Sequence, residues 1–267
     1  MEVKIDFTKS AQENANDYYA RAKKLSLKRE GAQRAIAELK KKLSDLASIR
    51  ASAQAARTKV QAAPKEWYEK FHTFFTSSGM LVIGGRDAHQ NEMLISRHFE
   101  DSDLFFHANI FGASPMILKG GRDAPRSVRE EVAQFAACYS SAWKDGLSVV
   151  DVYAVRREQV SKSTSKGSLG TGSFLISGER DWYRSIPLSL AMVVVGGKLL
   201  SLPSIAFGRS VADRTARHVV LTIGNDKKSD AAKKIAKMLG YGDLDGIMQQ
   251  LPTGGIRVSE GYAPSPN

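Results

Sequence analysis

The stretch Phe71–Phe99, "FHTFFTSSGMLVIGGRDAHQNEMLISRHF", decides the fold. Aromatic and β-branched residues flank a Ser-Ser-Gly turn, which predicts a hairpin leading into a strand over Leu81-Val82-Ile83. Gly84-Gly85 lets the backbone turn sharply. A short helix is predicted from Ala88 to His98, capped by Asp87 with Gln90 as its capping-box partner. A helix start directs free N–H groups and a positive dipole end outward, which suits an anion. Arg86 beside it can fork to a phosphate. Gln90 and Arg97 lie seven residues apart and share a face, whereas Asn91 and Arg97 do not. The glycine spacing fits neither the Walker nor the Rossmann fingerprint. The competing reading is a capped helix whose polar residues are only solvated.

Downstream, "DLFFHANI" (103–110) and "SPMILKG" (114–120) read as strands joined through Gly112. "SVREEVAQFAACYSSAWKDG" (127–146) reads as one helix, with Val132, Phe135, Ala136 and Tyr139 facing the core. "SVVDVYAV" (148–155) is a strand, and "GSFLISG" (172–178) and "LAMVVVGG" (190–197) are strands around a loop. "HVVLTIG" (218–224) and "GGIRVSE" (254–260) read as strands, with helices over 228–240 and 243–251 between them. Strands and helices mix without a regular βαβ rhythm. The expected body, residues 66–260, is therefore α+β: a mixed, mostly antiparallel sheet with flanking helices. Residues 261–267 read as a loose Pro-Ser tail.

Upstream lies a basic arm, residues 1–65. It holds 15 Lys and Arg against 7 Asp and Glu, so most of the net charge of +11 sits there. Such a balance favours polyanionic partners, although a solvated helix face is the ordinary alternative. Ser10 with Glu13 matches a capping box. No proline interrupts the chain from there to Ala63. Leu25, Ala32, Ile36, Leu39, Leu43, Leu46, Ala53 and Val60 fall on alternating three- and four-residue steps, with Arg50 and Arg57 at two seam positions. This predicts a coiled-coil helix of about 50 residues, about 75 Å long. A helix so polar needs a partner along its seam, either a second copy, another protein or the chain itself. Pro64-Lys65 is the expected end.

Composition narrows the classes. The hydrophobic fraction, 42%, is ordinary for a globular protein. The single Cys138 excludes an internal disulfide framework and a cysteine-built zinc cluster. No His or acidic pair has metal-ligand spacing, so neither a metal nor a cofactor is expected. The N-terminus lacks a signal-like apolar core, and "LAMVVVGGKLLSL" is too short and broken to span a bilayer. A cytoplasmic protein without a membrane partner is expected.

Two more stretches carry polar chemistry. In "HANIFGAS", His107 follows a strand and precedes a glycine turn, where it serves as a base, a base-stacking group or a hydrogen-bonded structural residue. In "RREQVSKSTSKGSLGTGSF", Arg156, Arg157, Lys162 and Lys166 sit among hydroxyls and glycines. That composition suits a sugar-phosphate backbone, or a bland surface loop. No nucleophile elbow or linked base accompanies Ser161 or Thr164, and no catalytic residue is assigned.

Taken together, "WYEKFHTFFTSSGMLVIGGRDAHQNEMLISRHF", "DLFFHANIFGAS", "CYSSAW", "QVSKS" and "TGSFLISG" resemble the successive blocks of the NFACT-R domain of ribosome quality-control and fibronectin-binding-like proteins. "IDFTKSAQENANDYYARAKK" resembles the coiled-coil arm that precedes that domain. The resemblance runs from Val3 to Gly178, and more weakly to Val258. It implies an RNA-binding module that engages tRNA, rRNA and large ribosomal subunits carrying stalled nascent chains. The N-terminal domain, helix-hairpin-helix segment and first arm of full-length members have no counterpart here. Their tRNA contacts therefore do not carry over. The matching positions are Arg86, Asp87, Asn91, Glu92, His107, Gly112, Lys162, Thr171 and Gly172. Two departures are Arg157 and the Asn-Ile-Phe of "HANIFGAS", where Asp-Leu-His is frequent. The second removes a possible acid–histidine pair.

Arg86, Asp87, Asn91, Arg97, His107, Arg156, Lys162, Lys166 and Thr171 are thus the candidate RNA-binding residues. Alternative readings are an RNA-modifying or RNA-cleaving enzyme using Arg86, Asp87, His107 and Lys162, and an interaction scaffold that self-associates through residues 25–60.

Overall fold

The computed structural model describes residues 4–57, 66–164, 167–210 and 217–261. The chain divides into two compact units, residues 1–65 and 66–267.

The first unit is helix α1 (Ala11–Arg57). Its start is the capping box: the Ser10 N–H donates to Glu13 Oε2 at 2.8 Å, and the Glu13 N–H donates to Ser10 Oγ at 3.3 Å. Two of the four orphan donors at a helix start are satisfied this way. Leu25, Ile36, Leu39 and Leu43 of the seam are exposed. The seam side chains from Leu46 onward and the Pro64-Lys65 junction lie outside the described residues, as does the tail from 262.

The second unit is α+β, built on two antiparallel sheets. Six strands form the larger one: β1 (His72–Phe75), β2 (Leu81–Gly84), β3 (Leu104–Ala108), β4 (Met116–Leu118), β5 (Val149–Arg156) and β10 (Asp181–Pro187). Their order is β1-β2-β4-β3-β5-β10. Between β5 and β10 lie short strands β6 (Val160–Ser161), β7 (Ser163–Thr164), β8 (Gly167–Ser168) and β9 (Leu175–Ile176), paired β6 with β9 and β7 with β8. The smaller sheet runs β12-β11-β13-β14, from β11 (Leu190–Val195), β12 (Lys198–Pro203), β13 (His218–Asp226) and β14 (Ile256–Glu260). Helices α2 (Ala88–Arg97), α3 (Arg126–Cys138), α4 (Ser141–Lys144), α5 (Ser204–Ser210), α6 (Lys228–Leu239) and α7 (Leu244–Gln250) complete the unit.

The six-stranded sheet is buried on both faces, and the two-residue period of its strands sorts the side chains. Val82, Leu104, Phe106, Met116, Leu118, Val152 and Ala154 face one way, into a core shared with α3 and the smaller sheet. Ile83, Phe105, Ile117, Tyr153 and Val155 face the other way, with Leu94 and Ile95 of α2, Phe99 and Val160. That second, smaller cluster underlies the candidate site.

Three differences from the sequence reading have local causes. The helix expected over 127–146 is broken at Tyr139. Ser140 leaves the helical conformation and its Oγ accepts from the Ala142 N–H, so a new short helix begins there. A hydroxyl competing for backbone groups favours such a cap. The Gly196-Gly197 pair is not a strand end but a two-residue hairpin turn, with φ of 56° and 78°, joining β11 to an unforeseen β12. Strand β10 was also unforeseen. Its apolar alternation is interrupted by Arg184 and by Ser185, the only non-glycine among the described residues with positive φ (52°), where the pairing with β5 slips.

Candidate nucleic-acid interface

The corner between β2 and α2 is formed as the glycines require. A Cβ on Gly85 would collide with the Asn91 side chain, so the strand can approach the helix only without one. The Asp87 carboxylate caps α2 by accepting from the Gln90 N–H at 2.8 Å. Gln90 Oε1 reaches back to the Arg86 N–H at 3.1 Å, one residue before the cap residue that a capping box would serve.

A cavity of about 520 Å³ opens beside this corner. Phe105, His107 and Tyr153 of the sheet line it, together with Asn91 of α2, Phe111 of the β3–β4 loop and Phe174 of the loop before β9. Arg86 and Asp87 also line it, so four of the candidate residues meet here: Arg86, Asp87, Asn91 and His107.

Asp87 caps α2 as its spacing suggested, and the chemistry of Arg86 differs from what spacing suggested. The Arg86 guanidinium does not reach outward for a phosphate. It donates to the Phe71 carbonyl at 3.0 Å and to Gln249 Oε1 at 3.3 Å, and its Nε is buried without a partner. Burial lowers its pKa. His107 Nε2 lies 3.2 Å from the Ala113 carbonyl oxygen, which only accepts, so that nitrogen carries the proton. Burial, opposed by this bond and reinforced by the charge of Arg180, holds His107 below the ordinary imidazole range. The ring is therefore neutral at pH 7. It lies parallel to Phe105 within 7°, their centroids 6.1 Å apart. Asn91 Oδ1 is buried and has no hydrogen-bond partner.

Lys162 is committed as well. Its ammonium pairs with Glu92, donates to the Gly170 carbonyl at 2.8 Å, and lies 5.2 Å from the centre of the Phe174 ring. The Gly172 N–H donates to the same Glu92 oxygen at 3.0 Å. These contacts clasp the 170–174 loop to α2 beside the cavity. Thr171 is exposed on that loop. Arg97 is exposed on the last turn of α2, about 15 Å along the axis from the capped end. Arg156 ends β5 opposite Leu104, so it shares the strand parity of the α3 face rather than of Tyr153. Lys166 lies outside the described residues.

Sequence reasoning missed the aromatic side of the site. Tyr153 and Phe105 read only as strand residues. Phe111, almost fully exposed at 98%, was noted as a departure but not as a site residue. Arg180, whose guanidinium carbon stands 4.5 Å from the Tyr153 ring centre, sits in the loop before the unforeseen β10. The one available signal was an aromatic followed by glycine, "FG", in a polar loop.

Residues 70–178 match the family described as "NFACT protein RNA binding domain". The chain is 35% identical over 202 residues to the archaeal Rqc2 homolog aRqcH of Methanocaldococcus jannaschii, covering 73% of this chain and 29% of that protein. It is 34% identical over 198 residues to the ribosome quality control complex subunit NEMF homolog of Drosophila melanogaster, covering 71% and 20% respectively. It is 30% identical over 232 residues to ribosome quality control complex subunit 2 of Schizosaccharomyces pombe, covering 83% and 22%. The chain thus spans less than a third of the length of each of these relatives. Every residue that lines the cavity falls inside the matched segment. With the α+β body and this alignment together, the chain belongs to the NFACT family of ribosome quality-control proteins, and residues 70–178 are the segment that matches the family's RNA binding domain.

Proposed function

We propose that the chain is an RNA-binding module of the ribosome-associated quality-control type, which engages tRNA, the large ribosomal subunit, or both, when a nascent chain has stalled. The observation that carries this reading is the coincidence of the aromatic-lined cavity with the segment matching an RNA binding domain. The net charge of +11 and the cationic groups Arg180 and Arg184 beside Tyr153 and Trp182 support it. The basic helix α1 supplies sequence-independent attraction along the phosphate backbone and, through its exposed seam, a face for a second helix. On this reading the protein works in the cytoplasm.

The test is titration of the full chain with tRNA and with isolated large subunits across a salt series. Each neutralised phosphate releases a counterion, so affinity falls linearly on a log–log plot. About three phosphate contacts give a slope of about −2 and a loss of about tenfold or more for a fourfold rise in salt. Binding that does not change with salt counts against the proposal.

A further inference from the structure

We propose that the cavity between α2 and the β3–β5 face receives one unstacked nucleobase, with Phe111 as its outer stacking face and Asn91 reading its hydrogen-bonding edge. This rests on the reading of the domain as an RNA binder and names the part of the RNA that enters.

The chemistry of the walls selects a base over a phosphate. Among the described residues that line the cavity, no cation presents a free terminal nitrogen to an anion. Both terminal nitrogens of Arg86 are held by Phe71 and Gln249, which leaves only its buried Nε unpartnered, and His107 is neutral. Lys162 beside the cavity is spent on Glu92 and Gly170. The start of α2, ordinarily an anion site, already holds the Asp87 carboxylate. A phosphate at the start of α2 meets the like charge of Asp87. A base meets a wall built of Phe105, His107 and Tyr153 instead. The volume, about 520 Å³, lies within the range of sites that enclose small planar ligands, about 300–1,000 Å³.

Besides the buried Nε of Arg86, two groups in the wall have chemistry that the fold does not use. Asn91 Oδ1 is buried without a donor, a costly state in a folded protein. Its amide carries both a donor and an acceptor, and rotation about χ2 turns either toward the cavity. A base presents complementary N–H and carbonyl or ring-nitrogen groups on one edge. Phe111 is the second. The residue is 98% exposed, yet its backbone is held: Ser141 Oγ donates to its carbonyl at 2.6 Å, and Gly112 follows in the left-handed region at φ 78°. An aromatic ring held in water at the mouth of an aromatic cavity is a stacking face without an occupant. Arg180, stacked on Tyr153, stands where the phosphates flanking an inserted base would leave.

The experiment uses the full chain and single-stranded RNAs of about ten nucleotides, long enough for one such site. Each RNA carries 2-aminopurine, or an abasic sugar, at one successive position. Insertion predicts quenching at one position and loss of affinity when that base is removed. Phe111→Ala should lower affinity by roughly five- to a hundredfold, the worth of one stacked base, without changing the salt slope. Combining Phe111→Ala with the abasic RNA should cost no more than either alone. Asn91→Leu should narrow the spread of affinities among RNAs differing only at that base. Arg180→Ala should instead reduce the salt slope by about one. Salt-sensitive binding that neither Phe111→Ala nor Asn91→Leu alters overturns the base pocket and leaves the RNA-binding reading standing. Absence of binding to any RNA, tRNA included, overturns both.

Discussion

Lys162 is ion-paired to Glu92, which precedes it by 70 residues, and the Gly172 N–H donates to the same carboxylate oxygen. One acidic side chain on α2 therefore holds both Lys162 and the loop residue Gly172 beside the cavity. The Lys162 hydrogen bond and then the Gly172 N–H hold Glu92 below the ordinary glutamate range. A depressed carboxylate stabilises the fold above its unfolded pKa, about 4.3, and that contribution disappears as pH falls through the lower folded value. The Gly172 amide should lose hydrogen-exchange protection in that acid window, and Glu92→Gln should lose it at neutral pH. Lys162→Met should cost at most about 1 kcal/mol, because both partners remain about one-third exposed.

Gly172→Ala should do more damage than its size suggests. The residue has φ of 76°, and a Cβ there would stand 3.0 Å from the Cα of Ala88 at the start of α2. The left-handed backbone alone costs about 1–2 kcal/mol for a side-chain-bearing residue. Denaturant unfolding should show that loss with an unchanged m-value, and RNA affinity should fall as the loop moves off α2.

Asn91→Leu is expected to stabilise the protein. Leucine keeps the branched shape and removes a buried oxygen that has no donor. Relief of an unpaired polar group is worth about 1 kcal/mol, or about 2–4 °C in Tm for a domain of this size. A lower Tm would mean that the amide is satisfied in solution.

His72 should make the fold sensitive to mild acid. It stacks on Tyr139 with centroids 3.9 Å apart, and burial together with Arg86 and Lys228 lowers its pKa to about 3. The unfolded chain takes up a proton near pH 6.5 that the folded chain refuses until about pH 3. Stability therefore falls as pH drops through that interval. The ring is only half-buried, so the slope stays below the limit of about 1.4 kcal/mol per pH unit. A His72→Phe variant should flatten the urea midpoint against pH over this range; an unchanged slope assigns the sensitivity to other groups.

The sequence was most legible where period and punctuation agreed. The Phe71–Phe99 hairpin and helix, the alternation in "DLFFHA" and "VVDVYAV", and the Ser10–Glu13 cap all have local causes, and the structure shows each. Beyond the local breaks at Ser140 and Gly196-Gly197, what escaped depended on distant partners as well. Strand β10 is held by β5, and its own alternation is interrupted by a bulge whose Ser185 N–H bonds to Asp151 at 2.9 Å. At the site, residue type singled out Asn91 and His107 as polar candidates, and the structure brings them to one cavity. It could not show that Arg86 would hydrogen-bond internally to Phe71 and Gln249 or that Lys162 would be ion-paired to Glu92, because those partners lie far from them in the chain. Charge is visible in a sequence; whether it is already spent is a property of the fold.

The two faces of the six-stranded sheet need not open together. One is sealed by α3 and continues into the smaller sheet; the other is covered by α2 and a clasped loop over a much smaller cluster. Local opening is governed by the area each layer keeps from water, so the thin layer can lift while the thick one stays closed. The cavity lies in that thin layer. A ligand held there would tighten the part of the molecule with the least stability of its own, and amide exchange in α2 and residues 170–176 would slow before that of α3 changed.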